Sequence, residues 1–409
     1  MRYPVLCCIV LMLSSCADKE NYRFRIERTD GFSQAMPVVL NMGQIGILDS
    51  DPGRNLVLKQ AGNPVPFQMD TVLKQISFLH RAEDGDAYEF TYESTPTKGP
   101  DGITAVKKEG DLRLFKDSVP LITYRYGMTY PPEGVDIVFR KSGYIHPLLS
   151  PSGDTLTRIQ PPDHYHHYGI WGPWTRTQIE GKQVDFWNLA EEQGTVLFKD
   201  FNSIISGKVY GGFNVRQEHI DLQATTEKRV ALNEDLDVKV WDLGRSDRYM
   251  IDYTTTFSTP LASGILFEAY RYGGGIGMRF TERWHRDNST VLTSEGNDRL
   301  TADGSNARWC MVTGESVDGQ GTNGILFLSY PENRSHPEPM RVWPVDANEG
   351  RGDMFFEFCP IRHQEWELEP DNIYSLKYRM VVFEGQLSVE EAETYWQNFA
   401  ERPVIINEQ

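Results

Sequence analysis

A chain of 409 residues has room for one large domain or two ordinary ones, and 39% hydrophobic with 24% charged residues is the composition of a folded protein rather than a disordered one. Its formal net charge of -17, with no run of lysine or arginine to offset it, argues against a nucleic-acid partner, since phosphate contacts need a basic surface. Aromatic residues make up 12% of the chain, which suits neutral sugars, whose apolar ring faces stack on Trp and Tyr.

The chain opens on an export signal. Arg2 starts a short basic region, Val5 to Leu13 is apolar, and Leu13-Ser14-Ser15-Cys16 has the form of a lipobox. The apolar run is too short to cross a hydrocarbon core of about 30 Å as a helix, and it stands where a cleavable signal belongs. Residues 1–15 are therefore expected to be removed and Cys16 to carry lipid. Residues 16–21 would form a polar tether, and the protein would sit in the cell envelope, anchored by lipid and otherwise soluble. Cys7 and Cys8 leave with the signal. That leaves Cys310 and Cys359, each in an apolar strand-like run, as expected buried free thiols.

Along the mature chain, short runs alternate apolar and polar residues at period two: Tyr22-Phe24-Ile26, Leu236-Val238-Val240, Ile251-Tyr253-Thr255-Phe257 and Tyr374-Leu376-Tyr378-Met380-Val382. The run from Gly324 to Tyr330 is continuously apolar and predicts a central strand covered on both faces. Turn signals such as Asn63-Pro64, Gly99-Pro100 and Asp318-Gly319 separate the runs. One helix start stands out, with Ser388 as N-cap and Glu391 closing a capping box ahead of Val389, Ala392, Trp396 and Phe399, and Pro403 beyond. No strand–helix alternation appears, which excludes a doubly wound α/β fold. The reading is an all-β protein: a large antiparallel β-sandwich with a short C-terminal helix. An N-terminal β region over 22–120 precedes the main sandwich over 121–402.

The chemistry concentrates in Pro161 to Trp174, PPDHYHHYGIWGPW, which holds three of the nine histidines. The prolines and glycines forbid ordinary helix, so the segment reads as a loop entering a short strand, with His164 and His166 on one face and His167 on the other. Histidines beside Asp163 can shuttle protons, with the acid orienting one imidazole, or hold a divalent metal. For a metal, His164 and His166 would be ligands and His146 or His336 a third. The alternative is a set of hydrogen-bonded histidines that hold a loop together. Two acids in apolar runs, Glu268 and Glu357, would have raised pKa values useful for acid catalysis; Glu268 would otherwise pair with Arg271 or Arg279. Gly273-Gly274-Gly275-Ile276-Gly277 lacks dinucleotide-binding spacing and reads as a tight turn or bulge, and HExxH, P-loop and GxSxG motifs are absent.

Gly143-Tyr-Ile-His-Pro-Leu-Leu-Ser-Pro-Ser-Gly153, the histidine run, Asp185-Phe-Trp-Asn188 and Asn333-Arg-Ser-His-Pro337 resemble the PmoA-like family of secreted proteins of Bacteroidota and Planctomycetes. A basic residue often follows the double histidine in that family, and Tyr168 stands there in this chain. The resemblance implies a β-rich fold similar to the galactose-mutarotase supersandwich and a setting among polysaccharide-degrading proteins, with no known reaction.

The function expected from these features is a carbohydrate-active enzyme of glycoside hydrolase, lyase or epimerase type. Protons would move through His164, His166 or His167, and sugar rings would stack on Trp171, Trp174 and Trp187, with Asn188 and Arg271 as polar contacts. A non-catalytic glycan-binding surface lipoprotein is the alternative. It would keep the tryptophans and need no histidine cluster.

Overall fold

The computed structural model describes residues 22–27, 34–45, 47, 55–81, 85–93, 102–224, 229–401 and 403–408. Its body is two antiparallel sheets. The first runs in spatial order Asn306–Ala307, Glu338–Val342, Phe355–Phe358, Ile276–Arg279, Ile170–Trp171, Tyr144–Leu148, Val119–Arg125, Asp111–Lys116 and Ile103–Lys108. The second runs Gly194–Ile205, Tyr210–Asp221, Arg229–Trp241, Arg248–Ser258, Tyr374–Glu384, Thr322–Ser329, Trp309–Glu315 and Ser289–Thr293.

The period-two runs explain how the sheets join. In Arg248–Ser258 the inward residues Ile251, Tyr253 and Phe257 share one core with Leu236 and Val238 of one neighbouring strand and Leu376, Met380 and Val382 of the other. Facing them from the nine-stranded sheet are Ile122, Ile145, Ile170, Met278 and Phe356, and the Phe327–Phe356 ring pair at 4.4 Å bridges the two layers. This is a β-sandwich held by side chains that alternate inward, as the sequence predicts. Thr322–Ser329 is buried along nearly its whole length because its outer face is covered too. The cover is the helix Val389–Ala400, whose Ala392 and Tyr395 pack on Leu326, Leu328, Val381 and Phe383. The Ser388–Glu391 capping box forms and starts that helix.

The N-terminal region builds two small sheets around Phe24, Phe78 and Phe90, and the C-terminal strand Val404–Glu408 returns to pair with Tyr22–Glu27. One boundary differs from the sequence reading. Strands Ile103–Lys108 and Asp111–Lys116 belong to the nine-stranded sheet, so the N-terminal region ends before 103 rather than at 120. Local patterning cannot assign a strand to one sheet or the other, because the hydrogen-bonded partners are distant in sequence. The two remaining cysteines, Cys310 and Cys359, are buried and unbridged, while Cys16 and the expected signal and tether lie outside the described residues.

Candidate functional site

Strands Phe355–Phe358 and Ile276–Arg279 are buried on both faces. One face is the sandwich core, and the other is covered by connecting segments that carry the histidine run. On that outward face the register sets a row across four strands: Trp171 pairs with Gly277, Gly277 with Glu357, and Glu357 with Arg341. The next outward positions bring Arg279 opposite Phe355, with the Trp343 N–H donating to the Phe355 carbonyl.

The histidine segment lies over this face as two consecutive turns rather than a strand. His164 N–H donates to the Pro161 carbonyl at 2.9 Å, His167 N–H to that of His164 at 3.0 Å, and Gln160 N–H to that of His167 at 2.8 Å. Gly169, at φ 59°, then drops the chain into Ile170–Trp171; a Cβ there would lie 2.2 Å from the Ile145 carbonyl oxygen. The turns correct the expectation that His167 faces away from its neighbours. All three rings converge: His164 stacks on His167 at 4.6 Å, and His166 meets His167 at 4.8 Å and His164 at 5.4 Å. His167 is boxed by Phe355 at 5.4 Å and by Trp171 and Trp187, each at 5.5 Å.

The charges around the rings are ordered. Asp163 Oδ2 accepts from His164 Nδ1 and from Arg279 Nη2, both at 2.8 Å, and the same Arg279 nitrogen donates to Asp353 at 2.7 Å. The Arg279 guanidinium lies 4.5 Å over Trp343. Burial alone would raise the Asp163 carboxyl, but the His164 hydrogen bond and the Arg279 charge hold it down to about 2. Burial pulls His166 down to about 4, assisted by the charge of His164, and pulls His167 well below the ordinary histidine value. Both rings are neutral at pH 7.

Glu357 is fully buried. Its Oε1 accepts from the Gly273 N–H at 2.5 Å, and burial pushes its carboxyl well above the usual range, so it is protonated where an exposed glutamate is charged. Gly273 presents that N–H at φ 119°, a backbone region open to glycine. Tyr272, next in the chain, takes hydrogen bonds on its hydroxyl from Arg341 Nη2 and Trp343 Nε1, both at 3.1 Å. Six buried polar atoms in this group have no hydrogen-bond partner: His167 Nδ1, Trp171 Nε1, Trp187 Nε1, Arg279 Nη1, Arg341 Nε and Glu357 Oε2. Buried polar atoms are normally satisfied, so their concentration on one face singles it out as the candidate site.

Of the residues expected from sequence, Asp163, His164, His166, His167, Trp171, Trp187 and Glu357 meet on this face. His146 stands beside it: its strand pairs with Ile170–Trp171, its Nδ1 meets Thr157 Oγ1 at 2.9 Å, and burial pulls it down to about 4. Trp174 does not join them. It stacks on Phe267 at 4.4 Å and near Phe257 inside the sandwich core, on the opposite side of the chain from Trp171, as an offset of three residues in extended backbone gives. His336 is also elsewhere, stacked on Trp396 and bonded to Ser329. Glu268 is half-buried and accepts from Gln178 at 3.1 Å, rather than from Arg271 or Arg279. Asn188 donates to Asp185 at 2.6 Å and helps shape the turn that presents Trp187. Arg271 is exposed over the Tyr272 ring. Among the described residues no group of three His, Cys, Asp or Glu side chains is placed to hold a metal ion, so the expected ligand set of His164 and His166 with His146 or His336 does not assemble. Sequence reasoning passed over Arg341, Tyr272, Trp343 and Phe355. Alternation within Phe355–Phe358 places Phe355 beside Glu357, but Arg341 enters only through cross-strand register.

This chain belongs to DUF6807, a family of unknown function whose profile matches residues 111–397. No curated protein matches it in sequence. Solved structures similar to it include a mutant of the heparan sulfate lyase HepC from Pedobacter heparinus, at 8% identity and TM-score 0.36, covering 72% of this chain and 38% of that one. The GH36 α-galactosidase AgaA from Geobacillus stearothermophilus matches at 9% identity and TM-score 0.32, over 70% of this chain and 41% of that one. A galactose mutarotase related enzyme from Lactobacillus acidophilus matches at 11% identity and TM-score 0.29, over 70% of this chain and 100% of that one. The chain thus spans less than half the length of the lyase and of the α-galactosidase.

Proposed function

We propose that this protein is a carbohydrate-active enzyme, of glycoside hydrolase, lyase or epimerase type, that works by imidazole and carboxyl proton transfer on the outward face of the nine-stranded sheet. The observation that carries this reading is that Glu357, whose buried carboxyl is pushed well above the usual range, and His166 and His167, which burial pulls down, stand on one aromatic-walled face. Phe355 stacks on His167 and stands two residues from Glu357 on the same side of one strand, which brings proton donor and acceptor into one neighbourhood. A neutral imidazole has a lone pair to accept a proton and a neutral carboxyl has a proton to give; burial lowers the basicity of the first and the acidity of the second, and general acid–base catalysis with positioned groups of this kind is worth about 10²–10⁴-fold. Asp163, charged at all working pH values, orients His164. Trp171 and Trp187 are buried in the aromatic wall with indole N–H groups that have no partner among the described residues, so a sugar ring stacking on them would have to enter between the packed rings. We further propose that the chain is exported and anchored in the cell envelope by lipid on Cys16, as the Leu13 to Cys16 motif implies.

The test is to incubate the mature protein with a panel of plant and host oligosaccharides, oxidised sugars included, and to follow products by chromatography and mass spectrometry. Wild-type protein should form product. His166→Ala and Glu357→Gln should each lower turnover by about 10²–10⁴-fold, while Trp171→Ala should chiefly weaken binding. Saturable binding with no product from any sugar would replace the enzyme by a glycan-binding protein.

A further inference from the structure

The outward face is electrically polarised within a chain that carries a net -17. At its histidine end the Arg279 guanidinium is matched by Asp163 and Asp353. At the other end two of three guanidinium groups share one carboxylate and the third has none. Asp303 takes Arg341 at 2.7 Å and Arg362 at 3.1 Å, and Arg271 has no carboxylate partner among the described residues. Glu357, opposite Arg341 in register, adds no compensating charge because burial keeps its carboxyl protonated.

Arg341 and Arg271 both lie against the Tyr272 ring, 4.9 and 5.3 Å from its centroid. Tyr272 also begins an aromatic wall. Trp187 follows at 5.2 Å, and beyond it stand His167 at 5.5 Å and His166 at 5.8 Å. Arg341 is 8% exposed and pinned by Asp303 and the Tyr272 hydroxyl, whereas Arg271 is exposed and held only by the ring it covers. One guanidinium is therefore fixed and its neighbour is free to close on an anion. Guanidinium groups match the planar fork of a carboxylate, and positive charge left uncompensated beside a low-dielectric aromatic wall favours a ligand that brings the missing negative charge.

We infer that the site takes an acidic sugar, a uronate or aldonate, with its carboxylate on Arg271 and Arg341 and its ring laid along Tyr272 and Trp187 toward the histidines. This rests on the proposed carbohydrate function and narrows it to a substrate class.

Titration calorimetry with galacturonate and glucuronate oligosaccharides against the same compounds as methyl esters tests the assignment. The acids should bind about tenfold tighter than their esters, the size expected of a charge-assisted hydrogen bond. That preference should shrink as ionic strength rises. Arg271→Ala should bring the acid down to the affinity of its ester, and Arg271→Lys, which keeps the charge and loses the fork, should restore part of the preference. Equal binding of acid and ester, or a preference that survives Arg271→Ala, would overturn this inference and leave the proposed function standing. A sulfated neutral oligosaccharide bound as tightly as the uronate would overturn the assignment of a carboxylate. If no saccharide of any kind binds, the proposed function falls and this inference with it.

Discussion

Replacing Glu357 by Gln separates what this carboxyl costs the fold from what it does at the site. In the native protein the group is buried, Oε1 accepts one N–H from Gly273, and Oε2 has no hydrogen-bond partner. Its folded pKa lies well above the ordinary glutamate value, which the unfolded chain keeps. Between those two values the unfolded chain releases a proton that the folded chain retains, so stability falls as pH rises through that window. The slope is at most about 1.4 kcal/mol per pH unit. From pH 5 to pH 7 the wild type should therefore lose up to about 3 kcal/mol through this group alone. Gln has the same shape and no proton to lose, so Glu357→Gln lacks that slope. Any constant offset from placing an amide beside the unsatisfied position cancels between the two pH values. Urea unfolding of both proteins, followed by tryptophan fluorescence at pH 5 and pH 7, should show the variant gaining on the wild type across the interval, by no more than about 3 kcal/mol. The same variant should be the one that loses turnover, since active sites commonly hold groups that the fold would be more stable without. Parallel pH dependence in the two proteins would refute the reasoning, because it would mean that Glu357 ionises when folded much as it does when unfolded.

The two tryptophans of the histidine segment should behave in opposite ways. Trp174→Ala empties part of the sandwich core beside Phe267 and Phe257 and should cost about 3–5 kcal/mol in urea denaturation, whereas Trp171→Ala should show its larger effect in sugar affinity measured by calorimetry. Cys16→Ser should release the protein from membranes into the soluble fraction on detergent phase partitioning, and unchanged partitioning of that variant would remove lipid anchoring at Cys16.

Much of the sandwich was legible because its strands obey a local rule. Ile251-Tyr253-Thr255-Phe257 alternates, so its inward face could be read before its neighbours were known, and Ser388 with Glu391 announced the helix through a contact three residues long. The density of His164, His166 and His167 beside Asp163 likewise located the face. What sequence could not supply was anything decided by distant pairing. Strands 103–116 alternate like their neighbours on both sides, and only their hydrogen-bonded partners assign them to the nine-stranded sheet. Arg341 stands opposite Glu357 because Met340–Val342 pairs with Phe356–Phe358, a register that no local pattern contains. The direction of His167 was misread because two turns replaced the strand on which period-two reasoning depends, and Trp174 was grouped with Trp171 although an offset of three residues places the two on opposite faces of extended chain.

The two sheets differ in strand length, and that difference bears on where the candidate site lies. Five of the eight strands of the second sheet have 11 to 13 residues, such as Arg229–Trp241 and Arg248–Ser258, paired in register over most of their length. The strands beneath the histidines are far shorter: Ile170–Trp171 has two residues, and Ile276–Arg279 and Phe355–Phe358 have four each. A strand of two residues contributes little ladder, but it frees the chain on either side of it, and here that chain becomes the turns carrying His164, His166 and His167 and the glycine-rich approach carrying Gly273. Long strands thus hold the sandwich while short ones position side chains on its outer face, a rigid scaffold beneath the loops of the candidate site. The face tolerates a protonated Glu357, neutral imidazoles and unpaired indole N–H groups because the stabilising burial lies on the other side of the same strands, in Ile170, Met278 and Phe356.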